Sequence, residues 1–520
     1  MACRQTMNAF RGMALLIVLL FPALSGGAEI TFADVFNHHM VLQRDTSLPV
    51  WGTAAPDEQV TVRLEMHQVK TTADSQGNWL VQLPSMAAGG PFELSVTGNQ
   101  TAVTLTDIMI GEVWLCSGQS NMEMAVQQTA RGWDNPVDNA RMEAAAAPEW
   151  DIRLLQLSRR ISGIPRKNLS SGWTRSDSQS VASFSAVGYF FGRELSRELN
   201  VPVGLIDATW GGTHIEPWTP PEGFAAVTEL AGISEQIEQA NRAYRDSLHN
   251  TLPLFNRWIA QAEQTMAGGG IPGAMPAIPD HPLQDVREPT SLYNGMIAPL
   301  CPLSIRGVIW YQGEANRKDG MKYLPKMEAL IRGWRSVWDQ GTFPFYYVQL
   351  APYAYGDEWE ALPEIREAQR KALDIPNTGM VVTTDVGDLV DIHPRRKQTV
   401  GHRLALWALA RTYNMEELIY SGPLFREAKL ADSRVRVSFN FAENGLTTRD
   451  NQPLIWFELA GKNGIYQQAE AEIQGREVLV WHPALVEPDS IRYGWAETAQ
   501  PYLMNEAGLP ASPFRAAVKK

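Results

Sequence analysis

The alternation of short apolar runs with helical patterns between residues 107 and 411 constrains the fold of this chain more than any other feature. Apolar, strand-like runs occur at Ile110–Cys116, Val203–Trp210, Ile305–Tyr311, Phe345–Leu350 and Met380–Asp385. Segments with helical periodicity follow most of them, such as the strong helix predicted over Arg396–Arg411. This alternation is typical of a parallel sheet flanked by helices. We therefore predict an α/β fold for this part of the chain.

Two β-rich stretches are predicted to flank the α/β region, which we bound at residues 107–425. Residues 28–106 contain short strand-like runs separated by turn residues, and their spacing predicts a small β-sandwich. Residues 426–520 are predicted to form a C-terminal β-rich domain. Within the first stretch, Pro49 cannot donate a backbone hydrogen bond, so we expect Leu48–Trp51 to be an edge strand.

An insertion is predicted at residues 220–290, where the alternation of strands and helices stops. Its first part, Ala225 to Met266, is polar and helical in pattern, and its second part, Gly268 to Pro282, is rich in glycine and proline. A segment of this length without a strand is expected to leave the sheet and to return to it. We interpret it as a possible wall over a binding site.

The N-terminus has the pattern of a secretory signal peptide. Arg4 and Arg11 precede an apolar stretch that is too short to span a bilayer, and small residues follow before Ala28. Residues 1–27 are therefore expected to be removed, and the mature protein to be secreted or periplasmic. No later run is apolar enough for a membrane helix.

Composition narrows the class of ligand. The formal net charge is −12 and there is no long basic run, so nucleic acid is a poor candidate. The 17 tryptophans mildly favour a carbohydrate, because flat aromatic faces suit sugar rings. Cys3 lies in the predicted signal peptide, and Cys116 and Cys301 are expected to be buried free thiols rather than a disulfide framework. No metal-binding motif is present, and we predict neither a metal nor a cofactor.

Small and polar residues follow four of the predicted strands, and together they have the composition of an acyl-transfer site. The segments are Ser117–Met122, Trp210–Thr213, Trp310–Asn316 and Asp388–Pro394. The carboxyl ends of parallel strands meet at one edge of a sheet, where sites of open α/β folds form. Acyl transfer needs a hydroxyl nucleophile, a neutral imidazole and preorganised hydrogen-bond donors for an oxyanion.

Each requirement has a candidate in these segments. Ser120 has the nucleophilic hydroxyl, and its own N–H, the N–H of Gly212 and the side-chain amide of Gln312 are candidate oxyanion donors. His393 is the candidate base, with His214 as its rival because it follows the double glycine. Any one of these residues has an ordinary structural explanation. Their joint occurrence at strand ends favours a catalytic site.

The motifs Gly118–Met122, Trp310–Glu314 and Asp391–Pro394 resemble those of the sialate O-acetylesterase family, and the segment 505–515 resembles the closing segment of that family. The resemblance spans nearly the whole mature chain. It implies the three-layer, flavodoxin-like fold of the SGNH hydrolase superfamily, accompanied by the flanking β-sandwich-like domains.

The resemblance also implies residue roles: Ser120 as nucleophile, His393 as base, and the N–H groups of Ser120 and Gly212 with the Gln312 amide as the oxyanion hole. One position departs from the superfamily pattern. The triad aspartate often lies three residues before the histidine, but that position is Val390 here. We prefer Asp391 over Asp388 as the orienting carboxylate, and a Ser-His pair without one stays open.

The implied activity is removal of O-acetyl groups from carbohydrates by a secreted serine esterase. The acetylated sugar is a sialic acid or a plant polysaccharide such as xylan or xyloglucan. A non-catalytic carbohydrate-binding protein is an alternative, but it predicts loss of the nucleophile or the base. A lipase would favour Gly-x-Ser-x-Gly, and position 122 is methionine. The sequence carries no signal for an oligomeric state.

Overall fold

One long strand, Ala102–Gly118, lies in the middle of the largest sheet and organises the fold. The structure is a computed structural model of the 520-residue chain, and it describes residues 29–127, 136–147 and 151–520. The predicted signal peptide, residues 1–27, lies outside the described residues. No helix within these described stretches has the length and apolar character needed to cross a membrane.

The region that precedes the long strand consists of short strands in two sheets. They are β1 (Thr31–Phe32), β2 (Val41–Gln43), β3 (Leu48–Thr53), β4 (Gln59–Leu64), β5 (His67–Thr72), β6 (Asn78–Leu83) and β7 (Gly89–Thr97), and the long strand is β8. One sheet has the order β1-β3-β6, whereas β4 pairs with β5 and β7. β7 pairs with β8 in antiparallel fashion, and β2 pairs with it in parallel. Strand β8 thus crosses position 106/107, where we place a domain boundary from the sequence.

The prediction that Pro49 marks an edge strand is wrong. β3 lies between β1 and β6 in its sheet. However, the short β1 pairs with β3 at Gly52 and Thr53, so among the described residues no strand pairs with Pro49 on that side. A residue without an N–H is tolerated there because the strand is locally open.

The central sheet contains the apolar runs that were predicted as strands. Besides β8 it consists of β9 (Ile152–Gln156), β10 (Trp173–Arg175), β11 (Val203–Thr209), β12 (Gly307–Tyr311), β13 (Phe345–Val348) and β14 (Thr378–Val381). The order is β10-β9-β11-β8-β12-β13-β14, and only the β9–β10 pair along this path is antiparallel. The α/β fold is confirmed, with a large mixed sheet and further β-sheet regions. The flavodoxin-like SGNH arrangement stays a prediction.

The helices connect these strands. They are α1 (Ser120–Glu123), α2 (Ala140–Ala145), α3 (Ser178–Ser183), α4 (Ala186–Leu199), α5 (Pro221–Ala225), α6 (Ala231–Ala267), α7 (Tyr323–Trp338), α8 (Ala361–Lys371) and α9 (Lys397–Arg411). α4 and α9 pack closely, because Gly401 has no side chain to collide with Phe190: a Cβ on Gly401 would lie 2.7 Å from the Phe190 Cβ. This packing places the start of α9 near the central strands.

The segment predicted as an insertion lies between β11 and β12. It contains α5, the 37-residue helix α6 and a return segment. The indole N–H of Trp258 donates to the carbonyl of Gly273 at 2.9 Å, and His281 Nε2 lies 3.0 Å from Asn241 Oδ1. The glycine- and proline-rich part therefore runs back along α6. Its proposed role as a wall stays a prediction.

The C-terminal part of the chain is β-rich and has a hydrophobic core of its own. Its strands are β15 (Leu424–Ala431), β16 (Arg434–Asn440), β17 (Leu446–Thr448), β18 (Phe457–Ala460), β19 (Tyr466–Gln468), β20 (Glu470–Gln474), β21 (Glu477–Trp481), β22 (Ser490–Tyr493), β23 (Leu503–Asn505) and β24 (Phe514–Ala517). They form sheets with the orders β15-β16-β21-β20, β19-β18-β22-β24 and β17-β23. Phe457, Tyr493 and Phe514 are buried in this core.

Candidate active site

Three of the four polar segments singled out in the sequence follow adjacent strands at the centre of the sheet. β8 lies between β11 and β12, and Gly118 at its end is level with Thr209 and Tyr311. The strands that follow β8 in the chain lie on one side of it up to β11 and on the other side from β12 onward, and such a switch point is where open α/β sheets form a crevice. Gly118 has φ +140°, and a Cβ there would lie 2.2 Å from the Tyr311 carbonyl oxygen. Glycine is therefore required for this close approach.

Ser120 and His393 meet in this crevice. Ser120 is the first residue of α1 and is buried, and its Oγ lies 3.0 Å from His393 Nε2. The two residues are 273 positions apart in sequence. His393 lies in the loop between β14 and α9. His214 is exposed, and His393 is the histidine that contacts the serine hydroxyl.

The environment of His393 favours the neutral imidazole. Burial lowers the pKa of His393, and the nearby Lys397 ammonium lowers this pKa further, while the carboxylates of Asp391 and Glu123 oppose both effects. An imidazole that is neutral near pH 7 can accept a proton from a hydroxyl. The ring is thus in the protonation state that a general base requires.

Asp391 is the carboxylate that approaches the other ring nitrogen. Its Oδ1 lies 3.7 Å from His393 Nδ1, which is longer than a direct hydrogen bond, and the same oxygen accepts the backbone N–H of His393 at 2.9 Å. Asp388 instead accepts the backbone N–H groups of Val390 and Asp391 at 2.9 and 3.2 Å. The structure therefore brings Asp391 to His393 and leaves Asp388 in the preceding turn. The orienting role of Asp391 stays a prediction.

The double glycine lies against the nucleophile. The Gly211 N–H donates to Glu123 Oε2 at 2.9 Å, and a Cβ on Gly211 would lie 3.3 Å from the Ser120 Cβ. Gly212 has φ +75°, and a Cβ there would meet nothing within 4 Å, so this residue faces open space. Within the part of the chain that the structure describes, its N–H has no hydrogen-bond acceptor. The role of Gly212 as an oxyanion donor stays a prediction.

Gln312 reaches the site, but its amide is already occupied. The buried Nε2 lies 3.1 Å from Gln119 Oε1, 3.0 Å from the Thr213 carbonyl and 2.8 Å from Asn316 Oδ1. Its Oε1 accepts the Tyr323 hydroxyl at 2.7 Å. Gln312 therefore ties the three loops together in this conformation. Its role as an oxyanion donor stays a prediction, and it would require one of these hydrogen bonds to be released.

Glu123 is a site residue that sequence reasoning missed, and Asn121 was expected near the acyl site from the sequence without an assigned role. The buried Glu123 holds Gly211 with one carboxylate oxygen and accepts Arg159 Nε at 2.9 Å with the other. Asn121 follows the nucleophile and contacts the histidine loop through the Ile392 carbonyl. The available signal was their closeness to Ser120 in the sequence, since Asn121 lies in the Gly118–Met122 motif and Glu123 follows that motif directly.

The site thus brings a serine hydroxyl within hydrogen-bond distance of an imidazole at the end of the central strand. The profile of the family described as "Carbohydrate esterase, sialic acid-specific acetylesterase" matches residues 110–252 and 274–410, which together exceed half of the chain. The chain belongs to this family, and it is a carboxylic ester hydrolase that acts on acetylated carbohydrates.

Known relatives agree with this assignment. The chain is 29% identical to a sialate O-acetylesterase of Rattus norvegicus over 98% of both proteins. It is 30% identical to the human sialate O-acetylesterase, with 79% of this chain and 77% of the relative covered. Among solved structures, a carbohydrate acetylesterase from Xanthomonas citri matches 94% of this chain and 99% of its own, with 32% identity and a TM-score of 0.78.

Proposed function

We propose that this protein is a serine esterase that removes O-acetyl groups from carbohydrates through Ser120 and His393. The observation that carries the proposal is the 3.0 Å contact between Ser120 Oγ and His393 Nε2 at the end of the central strand. The neighbouring Gly212 N–H and the Ser120 N–H are the proposed oxyanion donors. Asp391 is proposed to orient the imidazole and to stabilise it once it is protonated.

The reaction proceeds in two steps. In the first, Ser120 Oγ attacks the acetyl carbonyl carbon while His393 Nε2 takes the hydroxyl proton, and the oxyanion accepts hydrogen bonds from the two N–H groups. The sugar oxygen then leaves with the proton from His393, and the acetyl group stays on Ser120. In the second, His393 takes a proton from a water molecule as the water oxygen attacks the acetyl-serine. His393 then returns this proton to Ser120 Oγ, and the acetyl group leaves as acetic acid, which ionises to acetate.

The proposed substrate is an O-acetylated sialic acid, because the relatives in rat and human are named for that substrate. Arg159 supports a sugar acid at this site, because its guanidinium lies next to the double glycine, 5.6 Å from the centroid of the Trp210 ring. It already pairs with the buried Glu123 carboxylate, and the partly exposed guanidinium has further N–H groups that suit a substrate carboxylate. An acetylated plant polysaccharide is the alternative substrate.

The direct test is acetate release from acetylated sialic acid, acetyl-xylan, acetyl-xyloglucan and a chromogenic acetate. Ser120→Ala should remove turnover by about 10³-fold or more on every substrate that the native protein cleaves, since loss of a nucleophile has effects of at least this size. Matched circular dichroism spectra control for folding. Turnover by Ser120→Ala within about tenfold of the native protein would reject the proposed nucleophile.

We also propose that the protein is exported, with residues 1–27 as the signal peptide. The support is the sequence pattern of positive, apolar and small residues before Ala28. N-terminal sequencing of the protein from the periplasm or medium should begin at or near Ala28. Recovery only from the cytosol, with Met1 retained, would contradict export.

A further inference from the structure

The Asn121 side chain lies between a buried cation and a buried carboxylate. Lys397 Nζ donates to Asn121 Oδ1 at 2.5 Å, and Asn121 Nδ2 donates to Glu314 Oε1 at 2.5 Å. Asn121 and Lys397 are almost completely buried, and the second oxygen of Glu314 is buried as well. The three residues form a chain of hydrogen bonds, which we call the Glu314-Asn121-Lys397 bridge, and burial raises the pKa of Glu314 within it.

The two flanking groups fix the orientation of the amide. The ammonium group of Lys397 only donates, so it faces the amide oxygen, and the carboxylate of Glu314 accepts from the amide nitrogen. The flipped amide would place donor against donor and acceptor against acceptor. The second proton of Asn121 Nδ2 is thereby directed at the Ile392 carbonyl, 3.0 Å away. Ile392 precedes His393 directly, and Asn121 follows Ser120 directly. The Asn121 amide therefore joins the backbone just before His393 to the helix turn that contains Ser120.

We propose that the Glu314-Asn121-Lys397 bridge positions His393 against Ser120. This inference rests on the proposed function. Asn121 is a positioning residue that holds the Ile392 carbonyl, and Lys397 and Glu314 are positioning residues that hold the Asn121 amide. Loss of the bridge lets the loop before α9 shift, and the contact between Ser120 Oγ and His393 Nε2 lengthens.

The bridge also supplies a charge beside the base. The charged groups that act on His393 are Lys397, Asp391 and Glu123. Burial lowers the pKa of Lys397 to about 7, although the carboxylates of Glu314 and Asp391 act in the opposite direction. Lys397 therefore carries its charge in the acidic range in which His393 titrates. There it disfavours the imidazolium and extends the range in which His393 can act as a base.

The first test replaces the bridging amide. Asn121→Ala and Asn121→Ser should lower kcat on a chromogenic acetate by ~10- to 100-fold, with KM within about threefold, because a misplacement of about 1 Å can cost ~10²-fold. The matched control is Asn505→Ala. Asn505 is also a buried asparagine that holds backbone carbonyls, those of Ser421 and Phe441, in the C-terminal region. The control should keep kcat even if it loses thermal stability.

The second test replaces the charge. Lys397→Met, with Lys397→Gln in reserve if the first does not fold, should move the acid limb of the kcat/KM profile to higher pH by about 0.5 or more, because a like charge beside His393 is removed. A residue that only fills space would lower the rate without moving the limb. Asn121 variants within about threefold of native kcat, or an unmoved limb in the folded Lys397 variant, would overturn the proposal. Ser120→Ala and His393→Ala in the same assay separate this outcome from failure of the proposed function, because those variants keep activity only if the function itself is wrong.

Discussion

At the scale of single residues, the protonation of His393 is expected to control the acid side of the activity profile. Burial and the Lys397 charge lower the pKa of His393 below its usual value of 6.5. The base acts only when it is neutral, and a lowered pKa keeps it neutral to lower pH. We therefore expect kcat/KM to be retained at about pH 6.5 and to fall at lower pH. Initial rates on a chromogenic acetate measure this, and a midpoint above about pH 7 would contradict it.

The two aspartates of the histidine loop give a second prediction. Asp391→Asn should lower kcat by ~10- to 100-fold, which is less than the ~10⁴-fold loss for a directly bonded triad carboxylate, because Asp391 Oδ1 lies 3.7 Å from the ring nitrogen. It should also move the acid limb to lower pH, since a carboxylate that raises the pKa of His393 is lost. Asp388→Asn is the matched control and should change neither. Equal losses of kcat in both variants would mean that activity depends on the conformation of the loop and not on the Asp391 carboxylate.

The contact between Ser120 and His393 could be predicted from the sequence, because both residues follow strands of one parallel sheet. The hydrogen bonds made by the Gln312 amide could not be predicted. It depends on Gln119, Thr213 and Asn316, which compete for the same amide protons. Lys397 was missed for a related reason: a lysine in the first turn of a helix usually lies in solvent, and only the folded chain shows that it is buried.

At the scale of elements, the loop after β11 is expected to shift when a side chain is added next to the nucleophile. A Cβ on Gly211 would lie 2.9 Å from Glu123 Oε2 and 3.3 Å from the Ser120 Cβ. Gly211→Ala should therefore lower kcat/KM by ~10- to 100-fold by shifting the loop and Gly212, the proposed oxyanion donor. Gly232→Ala in α6 is the control, because a Cβ there meets nothing within 4 Å. Native activity in Gly211→Ala would show that the loop can move without consequence.

Element positions followed closely from the hydrophobic pattern. The helix predicted over Arg396–Arg411 is observed as Lys397–Arg411, and the strand predicted over Val203–Trp210 is observed as Val203–Thr209. The place of β3 in its sheet was not predictable, because the pairing of β1 with only the end of β3 is a long-range contact. Local propensity carries no information about which partner strand stops short.

At the scale of the whole molecule, the N-terminal strands and the central sheet share strand β8. The buried Glu112 on β8 also joins the two parts, since its carboxylate contacts Arg44 Nε at 2.5 Å and Arg306 Nε at 2.7 Å. A sequence boundary at 106/107 therefore falls within a continuous strand, and its existence as a domain boundary stays a prediction.

This shared strand gives a prediction about unfolding. Amide hydrogens of β7 and β8 should become exchangeable at the same denaturant concentration, because the two strands unfold together. Breaking their pairing exposes one common core. Hydrogen exchange followed by mass spectrometry measures this with peptides from each strand. The C-terminal strands provide the comparison, since they pack around a separate core. Exchange of β7 at clearly lower denaturant than β8 would show that the N-terminal region unfolds on its own.

The most direct test of the central claim is to label the nucleophile. A fluorophosphonate reacts with a serine hydroxyl that a neighbouring base activates, and it leaves a stable mass on that residue. Peptide mapping by mass spectrometry should find the label on Ser120, with loss of esterase activity in proportion to labelling. The label should be absent in Ser120→Ala, and its formation should be at least ~10²-fold slower in His393→Ala. A label on another residue that abolishes activity, or full activity with Ser120 labelled, would contradict the assignment of Ser120 and His393 as the catalytic pair.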